Sequence, residues 1–498
     1  MKADTPTTMK TNAHTGLKTD THSAGSTCTQ QSHQGAAAPP AAGEQGSHNR
    51  MFGGMPPTRL FFRCAIPNMI SMAVVSLYTI ADGIFVGYYI GAEALAAINL
   101  VMPLIMMSFA FSDMVAVGSS VQIAIWLGKK DEEMAGRIFS TACLLILISA
   151  LIMGTLAWLF SYPLVQLLGA SGEVADLAVK YMRVYAAFSV LIMHFFAVDN
   201  YLRICGKVHY SMAMNVGMSL ANIVLDWLFI GVLGWGIESA ALASCLSLMC
   251  GNILCFLPFF AGKLPLHFTR QWIRPGLLGN IIANGSSEFF NNISGSVCMI
   301  IFNAALLSAG GFMAVAAFSI IMYVDSVVKA LLFGMGDALQ PAISYNYGAG
   351  SPARIWAIER RVQAAGLLLA LLVLAFMQLG GEALIGLFAK EDAELLSISV
   401  RGMRLFSLSY LFTWCAILSG SFFTALNRPV FSLMTAAGQT LLFPVLFLSV
   451  LPRFLGLDGI WLSPVLAGAA SFLVCLLFLL DTSRRLSSGS GQQAQRPL

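Results

Sequence analysis

The sequence predicts an all-α polytopic membrane protein, with twelve transmembrane helices in two parallel six-helix bundles related by a pseudo-two-fold axis. Three observations predict this fold: a very apolar composition, twelve long apolar stretches and an internal repeat. Of the 498 residues, 57% are hydrophobic and 10% are charged, and the mean hydropathy is +0.76. Soluble proteins carry about 25% charged residues. Apolar runs of this length therefore have to face lipid.

Most of the apolar stretches are long enough for the roughly 20 residues that cross a bilayer as a helix. They cover residues 62–88, 97–126, 138–161, 177–200, 209–232, 239–260, 281–307, 314–344, 357–380, 397–424, 430–450 and 459–481. Because an even number of spans returns the chain to its starting side, both ends are expected on the same side of the membrane.

The sequence repeats itself with a shift of about 220 residues. Gly91 and Ala94 recur at Gly311 and Ala314, and Gly128 recurs at Gly348. The register drifts by only three residues over the following spans. Each half therefore has six spans that enter from the same side, which predicts parallel repeats about an axis along the membrane normal.

The repeat and the composition together predict five regions. Residues 1–50 are polar and small and are expected to be a disordered tail, because they cannot bury enough apolar surface to offset the entropy of ordering. An N-terminal six-helix bundle is expected at 55–260, a cytoplasmic linker at 261–280 and a C-terminal six-helix bundle at 281–483. A polar tail follows at 484–498.

Lysine and arginine predict that both termini are cytoplasmic. Cytoplasmic loops carry an excess of these residues, and the loops at 89–96, 233–238 and 308–313 contain none of them. The loops and ends on the predicted inner side contain Arg59, Arg63, Lys129, Lys130, Arg137, Arg203, Lys207, Lys263, Arg270, Arg274, Arg354, Arg360, Arg361, Arg428, Arg484 and Arg485.

Charged and polar residues inside three spans of the N-terminal half predict a cation site. Asp82 in the first span and Asp226 in the fifth lie at a similar depth in the outer half, where each carboxylate costs roughly 2.5–3.5 kcal/mol to insert. Tyr78 lies one turn before Asp82, Asn222 lies one turn before Asp226, and Ser244 in the sixth span lies at the same depth. Hard oxygen ligands suit Na⁺, and two adjacent carboxylates also suit a proton. The alternative is that these side chains only join helices by hydrogen bonds.

Further charged residues in the spans are candidates for a substrate cavity. Glu288, next to Phe289, suits an organic cation through charge and cation–π contact. Asp325 and Lys329 are four residues apart and form either a buried intrahelical ion pair or a cavity pair that changes partner. Asp113 lies in the middle of its span and is either a cavity residue or a residue that only packs helices together.

Two remaining carboxylates, Asp199 and Asp337, lie nearer the cytoplasmic ends of their spans and are expected to be solvated. Because the buried acids exceed the buried bases, the substrates are expected to be amphipathic organic cations.

Two function classes are excluded. The net charge is only +4 and the basic residues lie between apolar runs, so nucleic-acid binding is not expected. No enzyme is expected either. His194 is the one histidine deep in a span, and neither H-x-x-E nor H-E-x-x-H surrounds it.

The pattern of the spans resembles the MATE (multidrug and toxic compound extrusion) family, most closely its bacterial DinF-like group. The resemblance covers about residues 55–483 and is distributed over several segments. These are LYTIADGIFVGYYIGAEALAAINLVMP, LRICGKVHYSM, ANIVLDWLFIGVLGWGIESAALAS and GMGDALQPAISYNYGAGSPAR.

The resemblance implies a monomeric efflux antiporter in the bacterial cell membrane, driven by Na⁺ or H⁺ and with no other cofactor. The family's first-span carboxylate and preceding tyrosine match Asp82 and Tyr78. Its fifth-span Asn-x-x-x-Asp matches Asn222 and Asp226, and Ser244 stands where the family has a threonine. Related superfamily members flip lipid-linked sugar precursors, so a flippase is the alternative function.

Overall fold

The computed structural model describes residues 49–262, 264–386 and 393–487. The predicted N-terminal tail therefore lies outside the described residues, except for its last two positions. The N-terminal half contains α1 (Pro57–Tyr89), α2 (Ala92–Gly128), α3 (Glu132–Leu159), α4 (Ser161–Leu167), α5 (Gly172–Ile192), α6 (Phe195–Ile204), α7 (Val208–Asp226) and α8 (Ile237–Phe260). The C-terminal half contains α9 (Pro275–Gly348), α10 (Pro352–Gly386), α11 (Ala393–Ser407), α12 (Tyr410–Ala425), α13 (Pro429–Ala437), α14 (Phe443–Val450), α15 (Pro452–Leu455) and α16 (Leu457–Ser487).

The described helices give twelve membrane spans once their breaks are taken into account. Ten helical stretches are long and apolar enough to cross a bilayer, and the bent pair α11 and α12, at 53°, adds one more. The helix α9 has 74 residues, which would be roughly 110 Å long if straight, far more than the roughly 30 Å hydrocarbon core. It breaks at Gly311, whose φ of 65° is readily adopted by glycine. The predicted all-α fold with twelve spans is confirmed.

Local sequence signals explain where the helices begin. Proline occupies the first turn of α1, α9 and α13, where its missing N–H has no intrahelical partner to lose. Asp131 precedes α3 and accepts a hydrogen bond from the backbone N–H of Met134 at 2.9 Å. The early start of α9 at Pro275 makes the extended connection shorter than the predicted linker 261–280. At the other end, α16 continues to Ser487, beyond the predicted end of the C-terminal bundle.

The two halves meet through reciprocal glycine contacts on one face of the molecule. This face, here called the terminal face, carries the start of α1, the end of α16 and the loops 129–131, 205–207 and 349–351. A Cβ atom on Gly128 would lie 2.1 Å from the carbonyl oxygen of Tyr345, and one on Gly348 would lie 2.0 Å from that of Ile125. The two pairs are related by the 220-residue repeat, so equivalent helices cross at a pseudo-two-fold axis. Small residues allow this close backbone approach.

A second pair of glycines joins α2 to the beginning of α9. A Cβ on Gly118 would lie 2.0 Å from the carbonyl oxygen of Ile281, and one on Gly285 would lie 1.8 Å from that of Met114. The helix α1 also contacts the second half, because Asn68 Nδ2 donates a hydrogen bond to the Gly334 carbonyl oxygen at 2.7 Å. The part of the interface nearest the terminal face is therefore closely packed.

The segment before α1 also connects the two halves. Residues Asn49–Gly54 form a π-helical turn, and Phe52 is only 1% exposed. Its carbonyl accepts hydrogen bonds from Asn346 Nδ2 at 3.1 Å and Arg354 Nε at 2.8 Å. This segment thus attaches the start of the first half to the terminal face of the second.

The glycine contacts lead to a prediction about stability. We expect Gly128→Ala to lower the melting temperature of the purified protein, because the added methyl group collides with a backbone carbonyl and overpacking costs about 1–3 kcal/mol. Gly279→Ala is the matched control, since a Cβ there meets nothing within 4 Å. Equal melting temperatures for the two variants would show that the close approach does not restrict this position.

Candidate functional site

The five residues of the predicted cation cluster lie together in the N-terminal half. Asp82 is on α1, one turn after Tyr78, and Asp226 is the last residue of α7. Asp82 is 7% exposed and Asp226 is fully buried. Asn222 and Ser244 are buried as well, and the charges of both carboxylates act on Tyr78. Side chains from α1, α7 and α8 therefore converge on one pocket.

Asn222 connects the α7 carboxylate to α8. Its amide nitrogen donates to Asp226 Oδ2 at 3.2 Å, and its carbonyl oxygen accepts from Ser244 Oγ at 3.1 Å and from the Ser244 backbone N–H at 3.2 Å. The opposite amide orientation would place two oxygens against each other. The arrangement fixes one oxygen of Asp226 and leaves the other free to bind.

Each carboxylate keeps one oxygen without a hydrogen-bond partner among the described residues. These atoms are Asp82 Oδ1 and Asp226 Oδ1. The two side chains are close enough for their charges to interact. Buried, unpartnered carboxylate oxygens are costly unless a cation or a proton neutralises them. The pocket is therefore chemically suited to take up one small cation or a proton.

The helix geometry changes directly beside this pocket. Residues Trp227–Val232 form a π-helical turn immediately after Asp226. Turns of this kind inside an α-helical span occur frequently at functional sites. The residue pattern does not predict this turn.

Two tyrosines of α5 join the pocket, and sequence analysis missed both. The Tyr181 and Tyr185 rings are 5.3 Å apart, and the Tyr185 hydroxyl lies beside Ser244. The Asp82 charge acts on both residues. Their spacing of four residues on one helix face was the available signal, but it is equally typical of aromatic packing.

A second polar site lies between the two halves, and its carboxylates belong to the C-terminal half. Glu288 lines a cavity of about 50 Å³ together with Asp337, and the charges of Asp337 and Asp113 act on Glu288. Ser421 Oγ donates to Asp337 Oδ1 at 2.9 Å. The prediction that Asp337 is solvated is wrong, because α9 turns this side chain toward the cavity and leaves it half-buried. Amide and hydroxyl groups complete the lining, among them Asn200, Asn291, Gln340, Ser421, Thr424 and Thr435.

Asp325 and Lys329 form an ion pair outside the lining of that cavity. Lys329 Nζ lies 2.7 Å from Asp325 Oδ2, and Tyr410 donates from its hydroxyl to Asp325 Oδ1 at 2.8 Å. Asp325 is buried, whereas the Lys329 side chain is 47% exposed. The structure thus has the intrahelical pair of the first interpretation, with an ammonium group that remains accessible.

Asp199 and Arg203 belong to a buried network, so the predictions that Asp199 is solvated and that Arg203 lies in a loop are both wrong. Arg203 Nη2 lies 3.1 Å from Asp199 Oδ2. The other oxygen of Asp199 accepts from Ser211 Oγ at 2.5 Å and from Asn215 Nδ2 at 2.8 Å. The helix α6 extends through Ile204 and turns both charged groups inward.

The described residues do not contain a built metal centre. In the ranges 49–262, 264–386 and 393–487, no three His, Cys, Asp or Glu side chains are grouped to hold a metal ion. His194 packs between helices, with Nε2 2.9 Å from the carbonyl oxygen of Cys143. A cation at the Asp82 pocket would therefore rely on two carboxylates supplemented by amide and hydroxyl oxygens.

Comparisons with known proteins agree with this geometry. The MatE family model matches residues 67–228 and 289–448, once in each half. The multidrug export protein MepA of Staphylococcus haemolyticus (strain JCSC1435) is 22% identical over 431 residues, which cover 85% of this chain and 93% of the relative. MepA of Staphylococcus saprophyticus is 23% identical with the same coverage.

Solved structures share the fold. One is described as the outward-facing conformation of a multidrug resistance MATE family transporter; it has a TM-score of 0.81 and 26% identity, over 91% of this chain and 99% of that one. A transporter of the MOP superfamily from Pyrococcus furiosus, described as having a binding pocket of reverse polarity, has a TM-score of 0.82 and 26% identity, over 90% and 100% of the two chains. With the family model matching both halves, this chain belongs to the MatE family, whose members are transporters and not enzymes.

Proposed function

We propose that this protein is a multidrug efflux antiporter that exports amphipathic organic cations in exchange for Na⁺ or H⁺ moving inward. One observation carries the proposal: two buried carboxylates of the N-terminal half, Asp82 and Asp226, share a pocket and each keep an unpartnered oxygen. The carboxylates of the acid-lined cavity, Glu288 and Asp337, belong to the other half. A cation-uptake site and a substrate site whose carboxylates belong to different halves suit an exchanger. The names of the MepA relatives support the export direction.

The terminal face is proposed to be the cytoplasmic side of a bacterial cell membrane. It carries the lysines of the loops at 129–131 and 205–207 and the arginines Arg354, Arg360 and Arg361 at the start of α10, as the cytoplasmic side does. The close glycine contacts on this face then correspond to a conformation closed toward the cytoplasm. The similarity to a transporter described as outward-facing supports this assignment. The placement in the DinF-like group rests on the sequence resemblance.

Transport proceeds by alternating access between the two halves. A cation arriving from outside binds between Asp82 and Asp226 and removes the repulsion between them. The packing of α1 changes as a result, and drug binding in the outward state becomes weaker. Thermodynamic linkage requires that bound drug weaken cation binding by the same factor. Each chain contains both halves, so a monomer suffices.

Neutral substitutions at the carboxylates test the coupling. We expect Asp82→Asn and Asp226→Asn each to reduce cation-driven efflux to the rate of vesicles without the protein, because an amide cannot take up a proton or neutralise Na⁺. Asp458→Asn is the control, since this carboxylate pairs with Arg401 away from the pocket. Melting temperatures would verify folding. Normal export by both pocket variants would refute the coupling mechanism.

The coupling ion can be identified with imposed gradients. We expect ethidium transport into inverted vesicles to respond to either a Na⁺ gradient or a pH gradient when the two are applied separately. If Na⁺ is the ion, NaCl should raise the melting temperature relative to choline chloride, because a ligand that binds only the folded state stabilises it. This shift should be absent in the Asp82→Asn variant. The absence of driven transport for any cation would favour a lipid flippase.

A further inference from the structure

A buried arginine of the N-terminal half lies at the interface with the acid-lined cavity of the C-terminal half. Arg203 on α6 is 2% exposed. Its Nη2 contacts both Asp199 Oδ2 and Asn200 Oδ1. Ser211 and Asn215 of α7 hold Asp199 in place. The guanidinium is thus fixed to the N-terminal half by a rigid network.

Two nitrogens of this guanidinium are left over. Arg203 Nε and Nη1 are buried and have no hydrogen-bond partner within the part of the chain that the structure describes. One carboxylate therefore satisfies only part of a group that offers five N–H donors. The guanidinium therefore keeps two buried nitrogens that can still interact with neighbouring groups.

Arg203 contacts a residue that lines the acid-lined cavity. Asn200, which Arg203 contacts, lines the same cavity as Glu288 and Asp337. The charge of Arg203 acts on Asp337 of α9 and on Cys64 of α1. The N-terminal half thus supplies a fixed cation to a cavity whose carboxylates belong to the C-terminal half.

We propose that Arg203 is a state-dependent counter-charge that lowers the affinity for organic cations when the terminal face is closed. This inference rests on the proposed export function. When the halves separate at the terminal face, Arg203 moves away with the N-terminal half and the acidic cavity regains its full negative potential. Cations are then bound from the cytoplasm and expelled on closure. The residue positions charge and does not itself bind the cation.

The size of the cavity agrees with this mechanism. Its volume of about 50 Å³ is far below the roughly 300–1,000 Å³ of pockets that hold drug-sized ligands. Closure therefore both contracts the cavity and supplies a competing cation. Both effects disfavour an organic cation in this conformation.

The test is the double variant Asp199→Asn/Arg203→Gln. It removes both charges together, because Arg203→Gln alone would leave a buried, unpaired carboxylate, which is strongly destabilising. Ethidium binding to the purified protein and its export into inverted vesicles are measured. We expect the Kd to fall severalfold, because, of the two charges removed, that of Arg203 is the one that acts on Asp337. The KM should fall and the maximal rate should fall with it, because release becomes slower.

Three further variants separate this role from a structural one. In an Asp337→Asn background, the double variant should change the Kd by less than it does in the wild type, because the partner charge is already gone. Arg203→Lys keeps the charge and should retain an affinity near that of the wild type. The pair Arg428 and Asp481 lies outside the cavity lining, so Arg428→Gln/Asp481→Asn is the matched control and should leave the Kd unchanged.

The outcomes distinguish the inference from the function on which it rests. An unchanged or higher Kd in Asp199→Asn/Arg203→Gln, with or without a lower melting temperature, would overturn the role of Arg203 while export by the wild type stands. Wild-type protein that neither binds nor exports ethidium or any other organic cation would overturn the proposed function, and the counter-charge with it.

Discussion

The structure depends on one constraint: a charge inside a low-dielectric bundle must be compensated. The buried carboxylates differ in how far they meet this requirement. Asp325 has Lys329 and a tyrosine hydroxyl, and Asp199 has Arg203 with a serine and an asparagine. Asp82 and Asp226 have neither a base nor a full set of donors among the described residues. This incomplete compensation at two neighbouring carboxylates is the observation behind the proposed cation uptake.

The internal repeat determines where the halves meet. Gly128 packs against the carbonyl oxygen of Tyr345, and Gly348 packs against that of Ile125. The 220-residue shift converts one pair into the other. A pseudo-two-fold axis makes such contacts reciprocal, so each close approach of a glycine to a carbonyl occurs twice in the structure. The charges do not follow this symmetry. The carboxylate pair of the first half has no counterpart at the equivalent positions, which suits a division of labour between cation uptake and substrate binding.

Sequence reasoning recovered the spans and the depth of the main cluster, because both follow from the rise of a helix and the thickness of a bilayer. Asp82, Asn222, Asp226 and Ser244 could be placed at one level by counting residues from the ends of their spans. Sequence analysis failed where the depth of a residue in the membrane does not determine which way its side chain faces. Asp337 and Asp199 were expected to face solvent, yet the rotation of α9 and α6 turns them inward. Tyr181 and Tyr185 were missed because a tyrosine pair on a helix face does not indicate what it packs against.

The sequence by itself determined the all-α fold, the number of spans and the presence of unpaired acids in the membrane, since hydropathy and periodicity are properties of the chain read in one dimension. Only the tertiary structure decided which charges share a pocket. It brought Arg203, whose position suggested an ordinary loop residue, into contact with Asn200, which lines a cavity built mainly by the opposite half. Contacts between helices far apart in the chain depend on their rotation and crossing angle, and neither quantity is encoded in local residue spacing.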